Sequence, residues 1–365
     1  SRWYSGSGIY RDVNLVVTDK LHVGHYGTKI EAKDLVENKD GDVQTNVKTT
    51  VVNNYENQQT FSIQHQLVDA DGQSEKQSFD IEAGVSLDTE VSFNVNAPTL
   101  WSVDNPYLYK LQTLISQGDT VVDRTENDYG YRFFNFDSKT GFSLNGKKMK
   151  LKGVNMHHDQ GALGAVANPA AIERQVKLLK EMGANAIRTS HNPASPALID
   201  IANRYGMLVV EESFDGWHLP KNGNQNDYSN YFTQKIGEGN QIIHGNTNMT
   251  WAEYDLKEMI RKSQNAPSVI MWSLGNEISE GAGGAPQPYI NHGKNLVKWA
   301  REIDQTRPLT FGDNRGNLEY EKIHEEIIKY GGVVGFNYRT DAFMKSLKDK
   351  HPAWPLMMSE TGSAI

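Results

Sequence analysis

Cysteine is absent from this chain of 365 residues. That absence excludes a disulfide framework, a thiolate nucleophile and every zinc or iron–sulfur site that is built on cysteine. It does not indicate a compartment, because cytoplasmic, periplasmic and secreted bacterial proteins can all lack cysteine. The localisation is therefore left open.

Long hydrophobic runs and an excess of positive charge are missing as well. No stretch of about 18 apolar residues occurs, so we expect no membrane-spanning helix and no membrane partner. Ser1 is followed by neither a basic nor an apolar segment, so we expect no signal peptide. The missing initiator Met indicates a mature chain or a piece of a longer one. With 37 Lys and Arg residues against 45 Asp and Glu residues, the net charge of −8 argues against a nucleic-acid partner.

Alternating polar and apolar residues mark the first third of the sequence. Residues 43–52 and 61–68 both follow the period of two that is typical of a half-buried β-strand. A short apolar strand is also predicted at Val13–Val17. Several short strands, joined by turns such as Asp71-Gly72, predict an immunoglobulin-like β-sandwich over residues 23–136.

From Asp137 onward, short apolar strands alternate with segments of helical spacing. This order is typical of βα units around a parallel sheet. We count seven strands, whereas a complete (β/α)8 TIM-type barrel has eight, so residues 137–365 are predicted to form such a barrel truncated after its seventh strand. A doubly wound sheet is the alternative, but no Gly-x-Gly-x-x-Gly motif follows the first strand.

Polar side chains follow the predicted barrel strands at their carboxyl ends, where the active sites of such barrels lie. They are His157, His158, Asp159, Arg188, Thr189, Ser190, His191, Asn192, Glu211, Glu212, Asn276, Glu277, Asp313, Asn314, Asn337, Tyr338 and Glu360. Any one of them is an ordinary exposed strand end. Their coincidence on different strands predicts a functional site.

Two carboxylates stand out in this set, because Glu277 follows the fourth strand and Glu360 the seventh. Hydrolysis of a glycosidic bond requires such a pair: one carboxyl group protonates the leaving oxygen, and the other stays ionised beside the anomeric carbon. The alternative interpretation, two exposed carboxylates paired to arginine, is left open here.

Aromatic and histidine side chains accompany the two carboxylates. Trp217 is predicted to face the cleft, where an indole ring would pack on the apolar face of a sugar. His157, His158 and His191 could suggest a metal site, but no His-x-x-x-His spacing on a helix supports it. We therefore predict no cofactor and no catalytic metal, and a structural cation is left open.

Five segments, in order along nearly the whole chain, resemble glycoside hydrolase family 2, and within it the bacterial β-galactosidases. The matching segments are Ser-Gly-Ser-Gly-Ile-Tyr-Arg-Asp-Val (5–13), Leu-Lys-Gly-Val-Asn-Met-His-His-Asp (151–159), Ile-Arg-Thr-Ser-His-Asn-Pro (187–193), Val-Ile-Met-Trp-Ser-Leu-Gly-Asn-Glu (269–277) and Met-Ser-Glu-Thr-Gly-Ser-Ala (358–364). The resemblance implies a retaining β-glycosidase that acts through a covalent glycosyl-enzyme. It also implies that residues 1–22 are the end of a jelly-roll sugar-binding domain.

The resemblance implies a role for each matching residue. Glu277 would be the general acid/base and Glu360 the nucleophile. Asn276 would bind the 2-hydroxyl of the sugar, and His157 and His191 would bind other hydroxyls. In addition, Arg188 and Tyr338 would orient Glu360 and keep it ionised, because a cation and a phenol donor both lower the pKa of a carboxylate.

A terminal β-galactoside is the expected substrate, and several alternatives are left open. They are a β-glucuronidase or another exo-glycosidase of the family, an endo-acting glycanase, and an inactive carbohydrate-binding fragment. The magnesium ion of some family members is not carried over, because the third-strand segment Glu211–Trp217 lacks the matching pattern. The sequence leaves oligomerisation open.

Overall fold

Two stacked antiparallel sheets form the N-terminal part of the protein. The computed structural model describes residues 8–237, 248–280, 285–315 and 320–362. Within these ranges, the strands of the two sheets are β1 Leu21–Ala32, β2 Asp42–Asn53, β3 Gln59–Leu67, β4 Gln77–Ile81, β5 Ser86–Asn96, β6 Tyr109–Gln117 and β7 Thr120–Tyr129. The first sheet has the order β1-β2-β5 and the second the order β4-β3-β6-β7. Helix α1, Leu35–Asn38, connects β1 to β2.

The alternation seen in the sequence places one face of each sheet in the core. Val47 on β2 lies opposite Val91 on β5, and Ile63 on β3 lies opposite Ile115 on β6. All four side chains are buried between the sheets. The predicted β-sandwich is confirmed.

The strand predicted at Val13–Val17 is not formed, so this prediction is wrong. Residues 12–19 carry no secondary structure, and Val13 and Leu15 are 77% and 91% exposed. A strand needs a neighbour for its backbone hydrogen bonds, and no strand in the described ranges pairs with this segment. Residues 1–7, which the sequence assigns to the same jelly-roll remnant, lie outside the described residues.

A small antiparallel meander leads into the barrel. Its strands are β8 Phe134–Asp137, β9 Gly141–Leu144 and β10 Lys147–Lys148. Phe142 and Leu144 pack with Leu208 and Ile270, which lie at the amino-terminal ends of two barrel strands. The meander therefore covers the end of the barrel that is opposite the predicted site.

Seven parallel strands, paired in chain order, form the barrel sheet in the described part of the chain. They are β11 Gly153–Met156, β12 Ala186–Thr189, β13 Leu208–Glu212, β14 Val269–Asn276, β15 Leu309–Asp313, β16 Val334–Asn337 and β17 Leu356–Glu360. The helices are α2 Pro169–Glu181, α3 Pro196–Tyr205, α4 Ser229–Phe232, α5 Trp251–Ser263, α6 Pro286–Ile303, α7 Glu321–Lys329 and α8 Asp341–Lys350. The predicted seven-stranded, truncated barrel is confirmed.

Local sequence explains these elements. Every residue of β14 is buried, as expected of a parallel strand that is covered on both faces. Helix α3 begins after Ser195, whose hydroxyl accepts a hydrogen bond from the backbone N–H of Leu198, and Pro196 occupies its first position. It ends at Gly206, which takes the left-handed conformation that glycine allows.

Buried polar contacts join the sandwich to the barrel. Arg132 donates hydrogen bonds from Nε to the carbonyl of Pro267, at 2.6 Å, and from Nη2 to the carbonyl of Val269, at 2.7 Å. Trp101 donates from its indole nitrogen to the carbonyl of Asn203 at 2.8 Å. The Trp101 contact holds helix α3, and the two Arg132 contacts hold the start of β14, the strand that carries Asn276 and leads into Glu277.

None of the helices in the described residues is long and apolar enough to cross a membrane.

A cavity of about 1340 Å³ lies between the edge strands β11 and β17. It extends from Phe136 and Phe142 of the meander to His157 and Glu360 at the carboxyl ends of these strands.

Candidate active site

Side chains from six barrel strands meet at their carboxyl ends, and Arg188 at the centre of the group is only 5% exposed. Its Nη1 atom donates to Glu360 Oε1 at 2.7 Å, and its Nε and Nη2 atoms donate to Glu212 Oε2 at 3.0 and 2.7 Å. The planar guanidinium thus serves two carboxylates at once, which a lysine could not do in the same geometry.

A hydrogen-bonded chain connects the two predicted catalytic carboxylates. Arg188 Nη2 donates to Asn276 Oδ1 at 2.9 Å, and Asn337 Nδ2 donates both to the same oxygen at 2.9 Å and to Glu277 Oε1 at 3.0 Å. Since Arg188 also holds Glu360, the chain runs from one carboxylate to the other. The structure therefore brings Glu277 and Glu360, from different strands, to one site.

Glu360 is held in its ionised form. Burial alone would raise the pKa of this carboxyl group, but a hydrogen bond from Tyr338 and the charge of Arg188 outweigh it and hold the pKa below its usual range. The backbone N–H of Tyr338 also donates to the Glu360 carbonyl at 2.7 Å. Tyr338 takes a positive φ of 54°, a strained conformation for a residue with a side chain.

The pKa of the Glu277 carboxyl group is shifted in the opposite direction. Burial raises its pKa, and the negative charge of Glu360 contributes to the rise, while the hydrogen bond from Asn337 only partly offsets it. Glu277 also has a positive φ, of 43°, and its backbone N–H donates to the carbonyl of Gly312 at 2.7 Å. One carboxyl group therefore favours the protonated state while its neighbour favours the ionised state.

Asn276 is held in one orientation by its neighbours. Its Nδ2 atom donates to Asp215 Oδ1 at 3.1 Å, and the same oxygen accepts a hydrogen bond from Lys221 Nζ at 2.7 Å. Lys221 is only 1% exposed, so Asp215 balances a buried ammonium group. This arrangement fixes the side-chain oxygen of Asn276 toward Arg188 and Asn337.

The two predicted sugar-binding histidines lie next to each other, with ring centres 5.1 Å apart. His191 Nδ1 lies 2.7 Å from Glu212 Oε1, and its Nε2 lies 3.8 Å from Glu360 Oε1. Burial, with a contribution from the nearby His191, lowers the pKa of His157 to about 4. His157 is thus a neutral imidazole near pH 7, suited to hydrogen bonding with hydroxyl groups.

Trp217 does not face the cleft, so the prediction for this residue is wrong. It is 0% exposed, its indole nitrogen donates to the carbonyl of Leu274 at 2.9 Å, and its ring packs near Phe232 and Phe311. The indole lies in the hydrophobic core cluster that also contains Phe232, Leu274 and Phe311. The sequence position of a Trp after a strand does not by itself show whether its ring faces the cleft or the hydrophobic core.

The sequence placed Glu212 and Asn337 among the polar strand ends but assigned no role to either. Three other residues of the site, Asp215, Lys221 and Gly312, were not predicted as part of it. Asp215 and Lys221 lie on a loop without periodicity, and Gly312 lies inside a strand, so no sequence pattern marked them. Within the described residues, no group of three or more His, Asp or Glu side chains is arranged to hold a metal ion.

Comparison with known families gives two matches along the chain. The model described as "Glycosyl hydrolases family 2, TIM barrel domain" matches residues 138–365. The model described as "Glycosyl hydrolases family 2" matches residues 27–132. Together they cover both the sandwich and the barrel.

Among curated proteins, the β-galactosidase BoGH2A of Bacteroides ovatus is 34% identical over 396 aligned residues, which cover 100% of this chain and 44% of that protein. A β-glucuronidase of Bacteroides fragilis is 28% identical and aligns with 98% of this chain and 49% of its own length. The crystal structure of a glycosyl hydrolase family 2 member from Bacteroides cellulosilyticus superimposes with a TM-score of 0.85 at 33% identity. It covers 99% of this chain and 43% of that one.

This chain therefore spans less than half the length of these relatives. The family models nevertheless match most of it, in the order in which the two domains follow each other here. The chain belongs to glycosyl hydrolase family 2.

Proposed function

We propose that the protein to which this chain belongs is a retaining β-glycosidase that hydrolyses terminal β-D-galactosides. In the first step, the Glu360 carboxylate attacks the anomeric carbon. The glycosidic C–O bond breaks as Glu277 gives its proton to the leaving oxygen. In the second step, water attacks the same carbon and gives a proton to Glu277, and the ester bond to Glu360 breaks.

The observation that supports this proposal most is the opposite surroundings of the two carboxyl groups. Two acidic groups can act as acid and nucleophile at one pH only if their pKa values are pushed apart. Burial raises the pKa of Glu277, whereas Tyr338 and Arg188 lower that of Glu360 against the effect of burial. In this proposal His157 and His191 bind hydroxyl groups, and Asn276 binds the 2-hydroxyl, where the contact tightens in the transition state.

A neutral sugar fits the charges of the site better than a uronate. Arg188 is already paired with Glu212 and Glu360, and Lys221 with Asp215. A sugar carboxylate would compete with these pairs, whereas a hydroxymethyl group would not. A β-glucuronidase stays the alternative, because relatives with that name align with most of this chain.

The nucleophile is tested by Glu360→Gln in the natural polypeptide that contains this chain. We expect turnover of nitrophenyl β-galactoside to fall by at least about 10⁴-fold, because the amide cannot form the ester intermediate. Equal rates for the variant and the unaltered protein would refute the assignment. An unaltered protein that binds galactose without any turnover would instead support the inactive, carbohydrate-binding alternative.

The sugar is tested by comparing nitrophenyl β-galactoside with nitrophenyl β-glucuronide at equal concentrations. We expect the galactoside to have the higher kcat/KM. A higher value for the glucuronide would favour the alternative and leave the assignment of Glu277 and Glu360 unchanged.

A further inference from the structure

Tyr10 and Arg11 lie against the barrel, although they precede the β-sandwich in the sequence. They belong to the segment 5–13 that resembles the family, and the proposed reaction uses none of its residues. The backbone N–H of Ala167 donates to the Tyr10 carbonyl at 2.8 Å, and Arg11 Nη2 donates to the Pro193 carbonyl at 2.5 Å. Ala167 follows β11 and Pro193 follows β12, so the two contacts connect neighbouring loops at the carboxyl end of the barrel.

Two aromatic contacts hold the Arg11 side chain in place. Its guanidinium carbon lies over the Tyr10 ring, 5.2 Å from the ring centre. The Tyr10 ring in turn meets the His158 imidazole edge-on, with 6.4 Å between the ring centres. Burial, with a contribution from the charge of Arg11, lowers the pKa of His158 to about 4. The imidazole is therefore neutral near pH 7, and Arg11 supplies the positive charge beside it.

The loop between β12 and α3 carries His191 and is anchored at both ends within the barrel. At its start, the backbone N–H of Ser190 donates to the Met156 carbonyl at 3.0 Å. Near its end, Lys262 Nζ donates to the Ala194 carbonyl at 2.7 Å. The hydrogen bond from the arginine reaches the loop between these two points, and it comes from outside the barrel.

The contact at Pro193 bears directly on the position of His191. Proline has no N–H, so the carbonyl is the only hydrogen-bonding group of its backbone, and a charged donor makes a stronger bond to it than a neutral one. His191 lies two residues earlier, with its Nε2 atom 3.8 Å from Glu360 Oε1. A shift of the loop therefore changes the distance between a proposed sugar-binding group and the proposed nucleophile. A misplacement of about 1 Å can cost about 100-fold in rate.

We propose that Arg11 is a positioning residue for His191: it holds the loop after β12 where the imidazole meets the sugar. This inference rests on the proposed function. The Tyr10 carbonyl ties the same segment to the loop after β11, which begins with His157. The part of the chain that precedes the β-sandwich thus contributes to the geometry of the barrel's active site.

The test compares Arg11→Gln, His191→Ala and the double variant with the unaltered protein, all as the natural polypeptide. Two quantities are measured: kcat/KM for nitrophenyl β-galactoside, and the Kd of free galactose by calorimetry. We expect Arg11→Gln to lower kcat/KM about tenfold and to raise Kd by about fivefold or more, because His191 is misplaced. The double variant should match His191→Ala within about twofold in both quantities, because Arg11 acts through that histidine.

The calorimetric measurement separates positioning from a merely structural role. Unfolded molecules lower the number of binding sites, whereas the Kd of the folded molecules stays the same. Arg174→Gln, which removes an exposed arginine from helix α2, is the matched control and should change neither quantity. The melting temperature of each variant shows whether it is folded.

A Kd for galactose in Arg11→Gln within about twofold of the unaltered value would overturn the proposal. So would losses of the two single variants that multiply in the double variant, since they would show that Arg11 acts independently of His191. If the protein prefers the glucuronide, nitrophenyl β-glucuronide and glucuronate replace the two galactose probes. Turnover that disappears in Glu360→Gln supports the proposed function whatever the outcome at Arg11, so the two failures are distinguishable.

Discussion

The two carboxyl groups of the site differ because their immediate neighbours differ. Glu360 touches a guanidinium group, whereas Glu277 accepts a hydrogen bond from the neutral amide of Asn337 and lies within the influence of another negative charge. Both side chains are largely buried, so burial alone does not separate them. The contrast comes from which polar atoms the strand ends bring to each one.

The pH dependence of kcat/KM follows from these pKa directions. In the proposed reaction Glu277 must be protonated, so activity is expected to be lost as pH rises through its raised pKa. In the same reaction Glu360 must be ionised, so activity is expected to be lost as pH falls through its lowered pKa. Tyr338→Phe removes a hydrogen bond that lowers the pKa of Glu360, and we expect the acidic limb to move to higher pH while the basic limb stays in place.

The measurement is a pH–rate profile for nitrophenyl β-galactoside with both proteins. We also expect kcat to fall by about 10–100-fold, the range for losing a hydrogen bond to a charged group. An acidic limb that stays in place in the variant would contradict this role of Tyr338.

Gly312 lies where a larger residue would disturb the polar chain between the carboxylates. A β-carbon there would be 2.9 Å from Arg188 Nη2 and 3.1 Å from Asn276 Oδ1. Arg188 cannot move aside without breaking its bonds to Glu212 and Glu360. We expect Gly312→Ala to lower kcat by about tenfold or more, with a smaller effect on melting temperature. Gly237→Ala, where a β-carbon has no atom of the described residues within 4 Å, is the matched control, and equal activities of the two variants would contradict the prediction.

At the scale of the elements, most of the barrel could be predicted from the sequence. Strands such as β14 are continuous apolar runs that end in polar residues. Both the strand and the polar cluster at its carboxyl end could therefore be predicted from the sequence. The segment at Val13–Val17 has the same local pattern but no partner strand among the described residues, and only the tertiary structure shows the difference. Trp217 and Lys221 lie on the loop after β13, whose path is set by packing against the helix layer rather than by periodicity.

The connection between α6 and β15 depends on one buried carboxylate. Asp304 is 0% exposed and accepts hydrogen bonds from Arg307 Nη1 at 2.8 Å and from the Trp272 indole nitrogen at 2.9 Å. We expect Asp304→Ala to lower the free energy of unfolding by about 3–5 kcal/mol, because Arg307 loses its counter-ion inside the protein. Chemical denaturation at pH 7 measures the change.

Asp349→Ala is the control, because it breaks an ion pair in which Asp349 and Lys345 are 67% and 77% exposed, and it should leave the free energy of unfolding almost unchanged. Burial would raise the pKa of Asp304, but Arg307 and the hydrogen bonds lower it overall. Its contribution is therefore present above the ordinary Asp pKa and is lost as pH falls through the lowered one. A difference between the two variants that persists in strong acid would contradict this account.

At the scale of the whole molecule, the sandwich supports the barrel through contacts that the periodicity of the sequence does not predict. Arg132, just beyond the last sandwich strand, reaches the backbone at the start of β14. We expect Arg132→Gln to speed amide hydrogen exchange in residues 266–271 and to lower the melting temperature, because two carbonyls lose a charged donor. Arg124→Gln, an exposed position on β7, should leave both unchanged, and equal exchange in the two variants would contradict the prediction.

The negative charge of Glu360 acts on Glu277 only while Glu360 is a free carboxylate. In the proposed reaction this charge disappears when the sugar ester forms, and one cause of the raised pKa of Glu277 disappears with it. Glu277, which has just released its proton, is then more stable as a carboxylate, so it stays ionised and is available as the base for the incoming water. Once the ester is cleaved, the repulsion returns and favours Glu277 keeping the proton that it took from the water.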